Sequence, residues 1–204
     1  MRLIPTREEV LTLLAKTGGF RQGHFEYPDG LHSADYLQVA LTMRSYDSAK
    51  ILSVGLSRLV RANSEVRAMI SDLSIVAPAT GGLPVAYGVC EALRARQVYW
   101  AERDGPGQSL SLRQFLEVRP GEKVLLVDDI LRSGSSLSKL KQLIEERGGE
   151  VVGVAVVIHQ PLPGAASFAP LPFFALANIE ATYYKGSGNC PLCARGIPAE
   201  KTWI

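Results

Sequence analysis

Apolar residues first recur at helical spacing in TREEVLTLLAKTGG, where Val10, Leu11, Leu13 and Leu14 form a stripe. Thr6 is placed to cap this helix, Glu9 stands three residues on as its capping-box partner, and Gly18 and Gly19 end it. An irregular stretch bearing glycine, tyrosine and histidine follows. DSAKILSVGLSRLVRANSEVRAMI then resumes the helical period, as one long helix or two short ones, with Asp47 as a cap. Beyond it the pattern changes to short apolar runs alternating with amphipathic segments: strand LSIVAPA, helix PVAYGVCEALRA, strand QVYWAE, strand KVLLVDD, helix SLSKLKQLIEERGG, strand VVGVAVVI. This alternation predicts an α/β fold, a central parallel sheet flanked by helices. Between QVYWAE and KVLLVDD the segment RDGPGQSLSLRQFLEVRPGE predicts a flexible loop with a short hairpin in place of a crossover helix. The proline-dense last portion offers one clear strand, PFFALAN. We therefore expect one domain over residues 1–204, with a core at about 47–160 and a small hood built from about 1–46 and 161–204.

Composition narrows the class of protein. With 204 residues and 47% apolar content, the chain can bury a genuine core. A formal charge of +2, from 22 basic and 20 acidic residues, gives no field suited to nucleic acid or an anionic membrane. The arginines of the 58–67 helix, Arg58, Arg61 and Arg67, read as a solvated face. No apolar run approaches the roughly 20 residues that span a bilayer, and MRLIPTREEV lacks the core of a secretory signal. The expected location is the cytoplasm, and the odd count of three cysteines fits a reducing compartment.

The chemistry concentrates in VLLVDDILRSGSS, residues 124–136. The ligand cleft of a parallel sheet lies beyond the carboxyl ends of its strands, where Asp128 and Asp129 are expected. Two carboxylates buried without partners would each cost several kcal/mol, so this position selects a ligand-facing role. Neighbouring strand residues point to opposite sides, which argues against symmetric chelation of one metal. One can bind sugar hydroxyls while the other serves a base or a hydrated magnesium ion. Next, Ser133, Gly134, Ser135 and Ser136 open a helix, where backbone N–H groups and hydroxyls attract a phosphate. A diol-binding acidic pair beside a phosphate cradle describes a ribose 5-phosphate pocket. The plainer alternative, a Walker-B-like strand, loses ground because no GxxxxGK[ST] loop occurs.

These residues resemble the 5-phosphoribosyl pyrophosphate signature of the type I phosphoribosyltransferases, and further stretches resemble the orotate phosphoribosyltransferase branch. GHFEYPDGLHSADYLQ is similar to the amino-terminal segment that lies over the base, and places Phe25 there. APATGGLPVA is similar to the pyrophosphate-binding loop, where Ala79, Thr80 and Gly81 would meet the substrate; Gly81 and Gly82 permit close backbone approach. AERDGPGQSLSLRQF is similar to the catalytic loop, with Arg103 and Arg113 placed to stabilise departing pyrophosphate and exclude water. The loop lacks the lysine or histidine usual in the family.

The resemblance implies transfer of ribose 5-phosphate from 5-phosphoribosyl pyrophosphate to a nitrogen base, most directly orotate, with inversion at the anomeric carbon. Asp128, Asp129 and Arg103 would be catalytic, and Ile130, Leu131, Arg132 and the three serines around Gly134 would bind substrate. Magnesium would enter through the substrate, with no direct protein ligand, and the protein would be a homodimer. Two departures concern the base: Arg132 stands where orotate enzymes carry a small hydroxyl residue, and VVIHQP offers His159 and Gln160 where an arginine is usual. Arg132 could supply the missing cation, since a guanidinium holds a carboxylate in bidentate fashion. His159 otherwise reads as a strand-end histidine bonded to its surroundings. Two alternatives stay open, a phosphoribosyltransferase for a purine or other base, and a non-catalytic sensor of the same donor. The tail NCPLCARG contains half a zinc knuckle, Cys190 and Cys193, which two copies across a dimer could complete. The reading favoured is a turn without metal, with His24 and His32 as turn or hood residues rather than ligands.

Overall fold

The most apolar segments of the chain do form the strands of one sheet, and their alternation of side chains fills two separate cores. A computed structural model describes residues 4–103, 105, 110–113 and 116–202. In chain order the elements are α1 (Arg7–Lys16), β1 (Phe20–Glu26), β2 (Leu31–Leu37), α2 (Val39–Met43), α3 (Tyr46–Ala62), α4 (Ser64–Ala68), β3 (Ser74–Pro78) and α5 (Gly82–Leu93). They continue with β4 (Gln97–Arg103), β5 (Leu110–Leu112), β6 (Lys123–Leu131), α6 (Ser135–Glu145), β7 (Glu150–His159), β8 (Phe173–Asn178), β9 (Tyr183–Lys185), α7 (Pro191–Ala194) and β10 (Glu200–Lys201).

The main sheet has the order β5-β4-β3-β6-β7-β8. Its strands are parallel except β5, which returns antiparallel to β4 and pairs Ala101 with Leu112. This is the hairpin expected where a crossover helix was missing; residues 104, 106–109 and 114–115 of that loop lie outside the described residues. In β6, Leu125 and Val127 join the core shared with α1, α3 and α5, while Val124 and Leu126 join the core under α6. Strand side chains alternate between faces, so one continuous apolar run serves both layers.

The first helix carries the expected capping box: Glu9 N–H donates to Thr6 Oγ1 at 3.2 Å and Thr6 N–H to Glu9 Oε2 at 2.7 Å. The segment after it resolves into two helices, α3 and α4. Ser45, not Asp47, is the N-cap of α3; Asp47 lies in the first turn, where a negative charge suits the helix dipole.

The stretch expected to be irregular is instead a β-hairpin, β1 with β2. Pro28 and Asp29 sit at its turn, Gly30 N–H donates to Tyr27 O at 2.8 Å, and Asp29 Oδ1 accepts from Leu31 N–H at 3.2 Å. The C-terminal strands flank it, giving a second sheet of order β10-β1-β2-β9. The hood sheet thus draws on both ends of the chain. By contrast β8 extends the main sheet, and α1 contributes Val10 and Leu14 to the core that also holds Leu176. Among the described residues no helix is long and apolar enough to cross a membrane.

Candidate active site

Strand β6 outruns its neighbour. Its ladder with β3 ends at the Val76–Leu126 pair, whereas its ladder with β7 continues to Leu131 and His159. Asp128 and Asp129 therefore lie within β6 rather than past its end, on the stretch where one flank is no longer paired to β3. The turn after β3 occupies that flank. Both carboxylates reach it: a Cβ on Gly81 would stand 2.8 Å from Asp129 Oδ2, and one on Gly82 would stand 3.0 Å from Asp128 Oδ1. Only glycine leaves room there, so the expected close approach is to the acids themselves. The opposite-sides expectation does not separate the two groups, because this turn lies beside the strand edge rather than over one face. The Ala79–Thr80 peptide is cis, Ala79 N–H donates to Ala101 O at 2.8 Å, and Thr80 is exposed at the start of α5.

The acids are under strong electrostatic pressure. Asp128 is 8% exposed, and its Oδ1 accepts from Asp129 N–H at 2.9 Å. Burial, and next the Asp129 charge, push its carboxyl well above the ordinary range. Burial also raises Asp129, although the Ile130 N–H, donating to Oδ1 at 2.8 Å, and the Arg132 charge oppose the rise. A pair held this way gains from any ligand that brings hydroxyl donors or positive charge.

From Asp128 a cavity of about 180 Å³ runs along residues 130–137 into the turn that starts α6. Gly134 adopts the left-handed conformation with φ 73°, and a side chain there would also strike Ala166 Cβ at 2.9 Å. Ser133 Oγ accepts from Ser135 N–H at 3.3 Å, which shapes the turn. Ile130 and Leu131 line the same cavity. Arg103, at the end of β4, donates from Nη2 to Ser136 Oγ at 3.2 Å, so a cation already reaches the helix start. Arg113 is placed differently: its Nε and Nη2 donate to Glu102 Oε2 at 2.8 and 2.5 Å, across the β4–β5 hairpin.

Arg132 leaves the main sheet for the hood. Its guanidinium lies 4.6 Å over the Tyr27 ring, and its charge also acts on the Tyr183 phenol. Tyr27 and Tyr183 meet edge-on at 5.8 Å. Burial raises both phenols while Arg132 opposes it, and Tyr27 Oη donates to the Asp35 carbonyl at 2.9 Å. Tyr183 Oη donates to Gln160 Oε1 at 2.8 Å; Gln160 is 1% exposed, and its Nε2 has no hydrogen-bond partner among the described residues. His159 Nδ1 bonds Asn178 Oδ1 at 2.9 Å across the β7–β8 ladder and packs edge-on against Phe173.

Phe25 does not join this cavity. It is 2% exposed within the hood, stacked between Arg21 and Tyr36. His24 and His32 do lie on the hood, as expected, and Cys190 and Cys193 gather with them there. Chain spacing concealed the cluster because its members come from two strands and a distant tail. Tyr27 and Tyr183 were missed for a similar reason, although PDG flanked by aromatics is a hairpin signal that could have exposed Tyr27.

Comparison with known proteins decides the family. A phosphoribosyl transferase domain model matches residues 56–166. An orotate phosphoribosyltransferase of Thermus thermophilus is 35% identical over 193 residues, which cover 95% of this chain and 99% of that one. The chain belongs to the phosphoribosyltransferases. Within that family the orotate phosphoribosyltransferase of Desulforamulus reducens is 33% identical, covering 96% of this chain and 95% of the relative. Among solved structures, the orotate phosphoribosyltransferase of Aeropyrum pernix superposes with TM-score 0.64 at 19% identity, covering 83% of this chain and 93% of that one. The adenine phosphoribosyltransferase of Leishmania donovani reaches 0.58 at 18% identity, covering 83% and 79%. The type I phosphoribosyltransferase fold is therefore common to proteins named for different bases, and the base must be argued from side chains.

Proposed function

We propose that this phosphoribosyltransferase moves ribose 5-phosphate from 5-phosphoribosyl pyrophosphate to a ring nitrogen of orotate. The observation that carries the reading is that buried Asp128, with Asp129 beside it, lines the same cavity as the Ser133–Ser136 turn. The sugar's vicinal hydroxyls would donate to the two carboxylates, and its 5-phosphate would take the N–H groups and hydroxyls that start α6. As the bond from the anomeric carbon to pyrophosphate oxygen breaks, the new bond to nitrogen forms on the opposite face. Positive charge grows on the ribose, and the carboxylates would compensate it. Arg103 would offset negative charge on the phosphates from the β4 side.

The hard oxygens of the two aspartates suit magnesium held chiefly by the diol and pyrophosphate, where it would neutralise the leaving group. The assignment of orotate rests on the two relatives' activity and on Arg132, which offers a bidentate partner for a carboxylate. The protein would act as a homodimer, as the family resemblance implies, and light scattering of the purified chain tests that. For the reaction itself, pyrophosphate release is followed with magnesium, the donor and a panel of bases. Release with orotate alone is expected. Release only with a purine reassigns the acceptor, and donor binding without release with any base sinks the catalytic reading.

A further inference from the structure

Within the hood, four metal-ligating side chains converge from three separate segments. His24 comes from β1, His32 from β2, and Cys190 and Cys193 from the start and interior of the turn that carries α7. One ligand atom from each lies within 4.8 Å of every other. Cys190 Sγ stands 3.5 Å from His24 Nε2, and Cys193 Sγ stands 3.6 Å from His24 Nε2 and 3.5 Å from His32 Nδ1. With zinc bonds of about 2.3 Å to sulfur and about 2.0–2.1 Å to nitrogen, a tetrahedron has S···N edges of about 3.6 Å. The cysteine–histidine distances match that edge. The two imidazole nitrogens are closer, at 2.8 Å, and need to part by about half an ångström to reach the N···N edge of a tetrahedron.

The surroundings prepare the ligands. A carbonyl can only accept, so the 2.7 Å contact between His24 Nδ1 and Ile197 O fixes the proton on Nδ1 and leaves the Nε2 lone pair for a metal. His24, His32 and Cys190 are buried, none more than 6% exposed, and Cys193 is half-buried, a setting that suits a structural site of four protein ligands. Two thiolates and two neutral imidazoles around a divalent ion sum to zero charge, which suits burial. Thiolate with imidazole in a closed set of four selects zinc over harder ions.

We infer that His24, His32, Cys190 and Cys193 bind one zinc ion within each chain, a structural clasp that fastens the C-terminal segment to the β1–β2 hairpin. The segment's other ties to β1 are short-range and few: Arg21 pairs with Glu200 at 2.6 Å, and Thr202 N–H donates to Glu26 O at 3.0 Å. Helix α7 is four residues long, and β10 pairs with β1 at two positions, Phe25–Glu200 and Glu26–Lys201. The site does not depend on the acceptor base or on catalysis.

The test uses the full chain, purified from zinc-supplemented cells and, separately, reconstituted with Co²⁺ in place of zinc. Elemental analysis should find about one zinc per chain, and the cobalt form should show the visible bands of a tetrahedral thiolate site. C193S and H32A should each lose bound zinc by about tenfold or more. If either variant fails to fold, the cobalt spectrum of the unaltered chain decides alone. Background zinc together with an octahedral cobalt spectrum would overturn the proposal, and half an ion per chain would overturn it in favour of a site shared between two copies.

Discussion

Two acids at opposite ends of β6 are buried to the same degree and behave in opposite ways. Glu122, just before the strand, and Asp128, near its far end, are each 8% exposed. Burial alone would raise Glu122, yet its carboxyl lies below the ordinary range, because the Arg119 N–H, Ser74, Gln97 and Tyr99 all hydrogen-bond it. Arg119 N–H donates at 2.8 Å and Gln97 Nε2 at 2.7 Å; the Ser74 hydroxyl completes Oε1. Asp128 instead faces a second carboxylate, and its pKa rises. Equal desolvation with unequal partners separates a group that holds the fold together from one kept ready for a ligand. Stability at one end of the strand coexists with stored electrostatic tension at the other.

The largest effect should follow from removing the tension. Asp128→Asn, assayed by pyrophosphate release, should lose at least about 10³-fold in kcat/KM. Its melting temperature should stay level or rise, since the amide ends the repulsion. A variant that loses activity and stability together would erase the distinction between the two ends.

Glu122→Ala is the converse, and should cost about 2–4 kcal/mol by taking the acceptor from the Ser74 hydroxyl and the Arg119 N–H and the shortest bond from Gln97. Denaturant unfolding reads the loss, while activity per folded molecule should hold. The pH dependences also diverge. A depressed Glu122 contributes stability that is complete above the unfolded glutamate value of about 4.3 and is lost as pH falls through the lower folded value. The raised Asp128 works the other way. Its protonated form favours the folded state, so that contribution is lost as pH rises from the unfolded aspartate value of about 3.9 toward the folded one.

A smaller effect is expected at the rim of the aspartate end. Arg103→Ala should reduce kcat about 10- to 100-fold, and Arg113→Ala less, because Arg113 is held by Glu102 on the hairpin while Arg103 contacts Ser136. Equal losses would show that the loop repositions both in turnover. The smallest signal is proton linkage. If hydroxyls and magnesium bind the ionised pair, donor binding should release up to about one proton, measured by calorimetry in buffers of differing ionisation enthalpy. Glu122→Gln should leave that number unchanged.

Much of the main sheet was legible because its signals are local or strictly periodic. VLLV within KVLLVDD and the whole of VVGVAVVI are unbroken apolar runs, which mark strands covered on both faces, and Thr6 with Glu9 spells a capping box within four residues. The acidic pair and the serine–glycine turn were readable for the same reason, as contiguous residues at the junction of a strand and a helix. The hood sheet was not. Its outer strands β9 and β10 are three and two residues long, too short to carry a period, and they pair with residues more than 140 positions away. Phe25 was assigned to the substrate by resemblance alone, and packing places it inside the hood.

The order of residues by itself determined where the main sheet's strands and flanking helices would lie, and which strand would present two carboxylates next to a helix start. Those outcomes follow from side-chain alternation and from short-range hydrogen bonds, which need no knowledge of distant partners. Tertiary structure alone decided that Asp128 would be strained while Glu122 was satisfied, that Arg132 would lie on Tyr27, and that two histidines would meet two cysteines. Each of these depends on groups brought together from remote parts of the chain, and electrostatic and packing energies fall off within a few ångströms whatever the separation in sequence.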